Sequence, residues 1–279
     1  MSANDALGDR MKEYESRNQY YLQKRTPVAI RVDMRAGHTF TKGFARPFDE
    51  VFGNAMIRTM EYCAKNIGNC VFAYRQSDEI TFILVDYAKL ETDAWFDYRT
   101  DKLCSISASM ATMVFNRYFL DEYKKWCFDH LDFPYECDAV DPKDEELDKA
   151  YTAALEKGAM FDARAFNIPK EEVCNLIYWR QLDATRNSIQ MVGQANFSHR
   201  ELQGCSCSII QDRLYKERGI NWNDYPIRWK RGVAYRKVER TVNIAGTIDI
   251  ISTWEIDLEM PILKGEDREY VDKLIYVGD

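Results

Sequence analysis

The sequence predicts an α+β fold in which an antiparallel sheet is flanked by helices. Short stretches alternate apolar and polar residues and end at acidic or turn residues, while longer ones repeat apolar residues at helical spacing. The two kinds follow one another as strand, helix, strand pair, helix, unlike the strict βαβ alternation of a parallel sheet. At 279 residues, 46% hydrophobic and 13% aromatic, the chain can bury a substantial core in one large domain or two small ones.

Residues 27–33, PVAIRVD, set Val28, Ile30 and Val32 against Ala29 and Arg31, a strand that ends on Asp33. After the loop MRAGHTFTKGFARP, apolar residues at 52, 56, 60, 63 and 67 form a helical stripe over 49–67, opened by Asp49. Residues 70–87, CVFAYRQSDEITFILVDY, read as a hairpin with Gln76 to Glu79 near its tip. A long helix is expected from Thr92 to about Asp121, with Trp95, Leu103, Ile106, Met110, Met113 and Phe119 near one face and no Pro or Gly inside. Segment 132–157 is acidic and holds Pro134 and Pro142, so it reads as a surface excursion with one amphipathic helix. It is the expected boundary between a unit 1–131 and an extension of helices and strands, 132–279, packed against it.

A short strand is expected at 160–166, then a helix starting at Pro169 with Val173, Ile177, Ala184, Ser188 and Met191 near one face. Ser198 and Glu201 form a Ser-x-x-Glu capping box for another helix, and the run to Arg218 is closed by Gly219. The stretches NIAGTIDIIS and WEIDLEMPI look like strands, and no internal repeat is present.

The net charge of −7 argues against indiscriminate coating of DNA. No apolar run reaches the roughly 18 residues of a membrane helix, and the amino terminus lacks the features of a signal peptide, so a cytoplasmic protein is expected. Eight cysteines are scattered singly, the nearest pair being Cys205-Ser-Cys207, and read as reduced core thiols. His38, His130 and His199 have no zinc-type spacing. Ser105, Ser107 and Ser109 lack a triad's partners and read as helix-packing residues.

The chemistry concentrates in the acidic residues at strand ends. Asp33 and the Asp78/Glu79 pair can converge on one edge of the sheet, where crowded carboxylates repel one another unless cations neutralise them. Hard oxygen ligands with room for water select Mg²⁺, the palm arrangement of two-metal phosphoryl transfer. The alternative is turn chemistry, in which Ser77 and Asp78 bond their own backbone and Glu79 is solvated.

Taken together, RTPVAIRVD-RA-HTFTKGFARPFD, YRQSDEI, DAWFDYRTDKLCSISASMATMVFN, FDARAFNIP and WRQLDATRN resemble the tRNA-histidine guanylyltransferase family, in particular its bacterial-type members that repair tRNA 5′ ends. The resemblance runs from about Met11 to Arg240. It implies a polymerase-like palm that extends RNA in the 3′-to-5′ direction: ATP or GTP activates a 5′-phosphate, and the 3′-hydroxyl of an incoming nucleoside triphosphate attacks it. It further implies two or more Mg²⁺ ions, tRNA as partner and a homotetramer.

Carried across residue by residue, Asp33 and Asp78 match the metal-binding aspartates, the backbone carbonyl of Met34 a third ligand, and Glu79 their acidic neighbour. The nucleotide pocket maps to Asp33, Met34, Arg35, Ala36, Gly37 and His38 with Ser77 and Asp78. Arg46 falls at a phosphate-contacting position, Asp49 at a base-contacting one, and Arg99 and Lys102 on the helix lining the triphosphate. His38 can contact a base or the triphosphate, or be a surface residue.

Two departures stand out: the family reads Asp-Gly-Arg-x-Phe-His where this chain has Met34 and Gly37 at the second and fifth positions. Met34 serves as a carbonyl ligand only if its φ stays negative, and Gly37 removes packing beside the nucleotide. A third difference lies at Thr185-Arg186-Asn187-Ser188, where relatives that read the histidine anticodon carry His-Ile-Asn-Asn; its absence favours the repair activity. Arg186 and Asn187 remain candidate RNA contacts. So do Arg228, Lys230, Arg231, Arg236 and Lys237 in RWKRGVAYRKVER, where cations alternate with Trp229 and Tyr235; the alternative is a solvated strand face. A palm-type cyclase or forward polymerase, and a catalytically weakened RNA-binding protein, are the competing functions.

Overall fold

The computed structural model describes residues 3–131, 141–244 and 247–278. After helix α1 (Ala3–Ser16) the chain enters β1 (Val28–Met34), the short helix α2 (Gly37–Phe40), α3 (Glu50–Asn66) and the hairpin of β2 (Cys70–Gln76) and β3 (Glu79–Leu84). Then come α4 (Thr100–His130), α5 (Pro142–Lys157), β4 (Phe161–Asn167), α6 (Lys170–Asn196), α7 (His199–Leu202), α8 (Cys207–Arg218) and the single turn α9 (Ile227–Lys230). The chain closes with β5 (Val233–Ile244), β6 (Thr247–Asp257) and α10 (Glu269–Ile275).

The six strands form one sheet in the order β4-β1-β3-β2-β5-β6, every neighbouring pair antiparallel. Strands β1 to β4 with α3 and α4 make the split βαββαβ arrangement, the palm-like architecture expected. The alternation in β1 divides its side chains between two faces. Val28, Ile30, Val32 and Met34 enter the core under α3 and α4, whereas Ala29 joins a second core under α6 and α10. Asp33 faces Glu79 on β3 and Asp162 on β4 in register, so the end of β1 is acidic on both sides.

The first core is rich in aromatics. Phe40 packs edge-on to Phe115 and Phe119 at 5.7 and 5.4 Å, which fixes α2 and the loop after it onto α4. A third core joins Ile189, Val192 and Phe197 to Ile210 and Leu214 of α8 and to Trp222, so α6 belongs to two cores.

The helical stripe predicted for 49–67 is observed, with Phe52, Met56, Met60, Cys63 and Ile67 buried and Asp49 capping α3 by accepting from the Phe52 amide. The helix expected from Thr92 instead begins at Thr100. Phe96, Asp97 and Tyr98 have φ of 49°, 56° and 55°, a left-handed path that a right-handed helix cannot take. It continues past Asp121 to His130 and buries Leu103, Ser107, Ala111, Val114, Phe115 and Phe119, with Met113 exposed. Ser105 and Ser109 are exposed as well, leaving Ser107 alone of the three in packing.

On α6, Val173, Ile177, Ala184 and Ser188 are buried as the spacing predicts, but Met191 is exposed. The Ser198–Glu201 capping box forms with both of its bonds, yet it opens only one turn; the chain is capped again at Ser206 before α8, and Gly219 closes that helix at φ 68°. β6 ends at Asp257, so the end of WEIDLEMPI leaves the sheet and Met260 and Leu263 enter the second core beside the unanticipated α10. Of the expected excursion, 132–140 lie outside the described residues, and Pro142–Lys157 is an amphipathic helix that buries Tyr151 and Ala154.

Seven cysteines are unpaired; Cys63, Cys70 and Cys174 are buried, the others only partly, and Cys137 lies outside the described residues. Among the described residues no helix is long and apolar enough to cross a membrane.

Candidate functional site

β1 ends where the β2–β3 hairpin turns, and this brings the two predicted aspartates together. The Met34 amide donates to the Asp78 carbonyl at 3.1 Å, tying the end of β1 to the turn formed by Ser77, at φ 48°, and Asp78. Asp33 is half-buried, and its carboxyl is held above the ordinary range first by burial and then by the negative charges of Asp78 and Asp162. Ionised carboxylates in that setting are stabilised by a cation. Asp78 also packs against the Gly37 backbone: a Cβ there would lie 1.9 Å from Asp78 Oδ2, so the lack of a side chain at Gly37 makes room for this carboxylate.

The donor set fits a hard divalent ion. Among the described residues no three His, Cys, Asp or Glu side chains converge on a metal position; a cation held here would have the carboxylates of Asp33 and Asp78 and the carbonyl of Met34 as its oxygen donors. Met34 does not have positive φ: it ends β1 in strand conformation, and its side chain is buried in the first core. The glycine-to-methionine departure is therefore absorbed by packing.

Beside the aspartates opens a cavity of about 360 Å³. Its near wall is Gly37, His38, Ser77 and Asp78; the loop before α3 contributes Arg46, Phe48 and Asp49, and α6 contributes Asn187, Met191 and Gln194. Arg75, Arg228 and Trp229 also line it. The Trp229 ring stacks on Phe48 at 5.1 Å, with the Arg75 and Arg228 guanidinium carbons 5.7 and 4.9 Å from its centroid. Gly232, at φ 88°, makes the turn that lays this segment over β2; a Cβ there would come within 2.5 Å of the Arg75 carbonyl. Met191 is exposed because it lines this cavity.

Glu79 has a different setting. Its Oε1 accepts from Arg180 Nε at 2.7 Å and its Oε2 lies 3.7 Å from Arg31, with both partners of the Arg180 pair only 9% exposed. Burial holds its carboxyl above the ordinary range, with the two arginines opposing. The Glu79 side chain thus anchors α6 to the hairpin beside Asp33.

Other expected residues divide. His38, Arg46, Ser77, Asn187 and Arg228 all line the cavity. Asp33, Met34, Arg35 and Ala36 do not; Arg35 and Ala36 border a smaller cleft with Lys157 and Met160. Arg99 and Lys102 do not line the cavity of their own chain. Arg99 bridges to Tyr21 and the Leu22 amide bonds the Tyr98 carbonyl, ahead of the start of β1, while Asp33 is near its end. Strand rise puts them about 20 Å from the aspartates within one chain, because the helix starts at the opposite end of the sheet. Asp49 lines the cavity, but Ala45, Phe52 and Tyr151 donate to its oxygens, so about three of its four acceptor positions are already used.

Arg186 and Asn187 bond Asp183. Arg228 pairs with Glu50. Lys230 is buried and donates to the Asn223 carbonyl, which withdraws it from any RNA surface. The Arg231 carbonyl accepts from Tyr74. Arg236 lies over Tyr270 and near Glu255, and Lys237 over Trp254 on the β5–β6 hairpin. Sequence reasoning missed Arg75 and Gln194, as well as the Arg31 and Arg180 pairing to Glu79; a charged residue inside the apolar run CVFAYRQ was the one visible sign of the first.

Residues 8–169 match the model of the tRNAHis guanylyltransferase family, Thg1. The tRNA(His) guanylyltransferase of Saccharomyces cerevisiae is 25% identical over 242 residues, 80% of this chain and 88% of the relative. An uncharacterized protein of Acanthamoeba polyphaga mimivirus is 26% identical over 264 residues, 91% of this chain and 84% of that protein. Bacterial tRNA(His) guanylyltransferase-like proteins solved in complex with ATP and with GTP give TM-scores of 0.77 and 0.74 at 38% and 36% identity, each covering 98% of this chain and 100% of the other. With the matched span exceeding half of the chain and containing both aspartates at the rim of the sheet, the protein belongs to the tRNAHis guanylyltransferase family.

Proposed function

We propose that the protein is a Mg²⁺-dependent nucleotidyltransferase that adds nucleotides in the 3′-to-5′ direction to the 5′ end of tRNA, repairing shortened acceptor ends. The observation that carries this reading is the approach of Asp33 to Asp78, which itself borders a cavity also lined by Arg46, Arg75 and Arg228. Solved relatives in complex with ATP and GTP support a nucleoside triphosphate as the occupant.

Asp33, Asp78 and the Met34 carbonyl would hold the divalent ions, which when bound acidify the attacking 3′-hydroxyl and neutralise phosphate charge. The chain's own residues do the rest. Arg46 lines the same cavity as Asp78 and binds phosphate, His38 borders the nucleotide, and the Glu79–Arg180 pair keeps the hairpin in register with α6. Asn187, on the helix turn that lacks the anticodon-reading histidine, faces the cavity and is placed to touch the nucleotide or its template partner. Lys237 extends the RNA contact along the β5–β6 hairpin. Assembly as a homotetramer and a cytoplasmic location belong to this reading.

The test is to incubate 5′-truncated tRNA with each labelled nucleoside triphosphate and Mg²⁺ and map the added residues. Addition at the 5′ end, abolished by Asp78→Ala, is expected. Incorporation only at the 3′ end, or a cyclic product, overturns the reading.

A further inference from the structure

Arg75 is 2% exposed, yet among the described residues its guanidinium makes no hydrogen bond and no ion pair, and its Nε is buried without a partner. Arg31 and Arg236 also bury an Nε without a hydrogen bond, but each faces a carboxylate, Glu79 at 3.7 Å and Glu255 at 3.6 Å, and Arg180 bonds Glu79 directly; Arg75 has no such counter-charge within 4 Å among the described residues. Buried charges are normally paired, since an ion taken out of water loses its hydration. Arg75 lies against the Trp229 ring and lines the cavity that Asp78 also borders. Burial pushes its pKa down to about 10, the direction expected of a cation lacking a counter-charge. The charges that act on it are Asp78, Arg228 and Glu50. Glu50 is already paired with Arg228, and Asp78 is the carboxylate assigned to the metal.

We propose that Arg75 forms the floor of an oxyanion subsite and donates to the non-bridging oxygens of a phosphoryl group brought in by the substrate. A planar fork of donors suits phosphate, and an anion supplies the missing charge, whereas a neutral base edge offers hydrogen bonds alone. The phosphate is either in the triphosphate of the nucleotide or at the 5′ terminus of the RNA. This deepens the proposed function and rests on it for the identity of those ligands; the position lies outside the residues that the family resemblance assigns.

The experiment compares the full-length protein with Arg75→Met, which keeps volume without charge, and Arg75→Lys. Titration calorimetry in EDTA measures binding of ATP, inorganic tripolyphosphate and adenosine, and of one RNA hairpin carrying either a 5′-phosphate or a 5′-hydroxyl. Arg75→Met should weaken a phosphate-bearing ligand by at least about tenfold, the size of one lost charge-assisted bond, and leave adenosine and the 5′-hydroxyl hairpin unchanged. Loss for ATP and tripolyphosphate assigns the subsite to the nucleotide; loss confined to the 5′-phosphorylated hairpin assigns it to the RNA end. Arg75→Lys should recover part of the lost affinity.

Ligand-free thermal melting should give Arg75→Met a stability equal to or above the wild type, because a buried unpaired charge is gone. Unchanged phosphate affinity, or a lowered melting temperature with all ligands weakened alike, makes Arg75 a packing residue and overturns the subsite. Wild-type 5′ addition is assayed in parallel. Its absence beside a phosphate-specific binding loss would remove the proposed function and leave the subsite standing.

Discussion

Asp33 shows the conflict between stability and chemistry at its smallest scale. Its carboxyl is raised by burial and by Asp78 and Asp162, so the folded protein holds this proton above the ordinary carboxylate range. As pH rises through that raised value the group ionises at a cost, and stability is lost between the ordinary range and the folded-state pKa. Asp33→Asn should therefore melt higher than the wild type at neutral pH in EDTA, with the difference vanishing in acid where both side chains are neutral. Added Mg²⁺ should raise the melting temperature of the wild type only, and 5′ addition should be absent from the variant. Gly37 offers a second check. Since a methyl group would meet Asp78 Oδ2, Gly37→Ala should displace that carboxylate and weaken Mn²⁺ binding, followed by electron paramagnetic resonance, by about tenfold.

At the scale of elements, the hairpin and α6 are joined by the Glu79–Arg180 pair, both side chains 9% exposed. Glu79→Ala leaves Arg180 with Asp183 alone and should cost about 3–5 kcal/mol in urea unfolding, the usual penalty for breaking a buried pair. Phe115→Ala, in the aromatic core that seats α2, should cost about 3–5 kcal/mol as well. Much of this level was legible in the sequence. The stripe 52, 56, 60, 63, 67 gave α3 and its cap because a helix on a sheet buries one face. The start of α4 was hidden because Phe96, Asp97 and Tyr98 turn left-handed without a glycine to announce it, held by the Arg99 amide on the Phe96 carbonyl and the Leu22 amide on the Tyr98 carbonyl. Of the candidate site, the acidic strand ends could be read from their positions. Arg75 could not, because its burial depends on Trp229, which reaches it only after the chain has crossed the whole molecule.

Across the whole molecule, an overall charge of −7 confines RNA recognition to local cationic surface. Lys237 stands on the part of β5 paired to β6 alone, beyond the Val233–Arg236 segment that meets β2. Lys237→Ala should weaken tRNA binding for all sequences alike and lower the slope of log affinity against log salt by about one, measured by filter binding. The longest reach, however, belongs to α6. It begins in the core beneath the sheet, lends Asn187 and Gln194 to the cavity, and ends in the core shared with α8. A ligand that steadies the middle of this rod must also restrain its far end. Backbone amides around Val192 and Leu214, none of them near the aspartates in sequence, should exchange with deuterium more slowly once a nucleotide is bound.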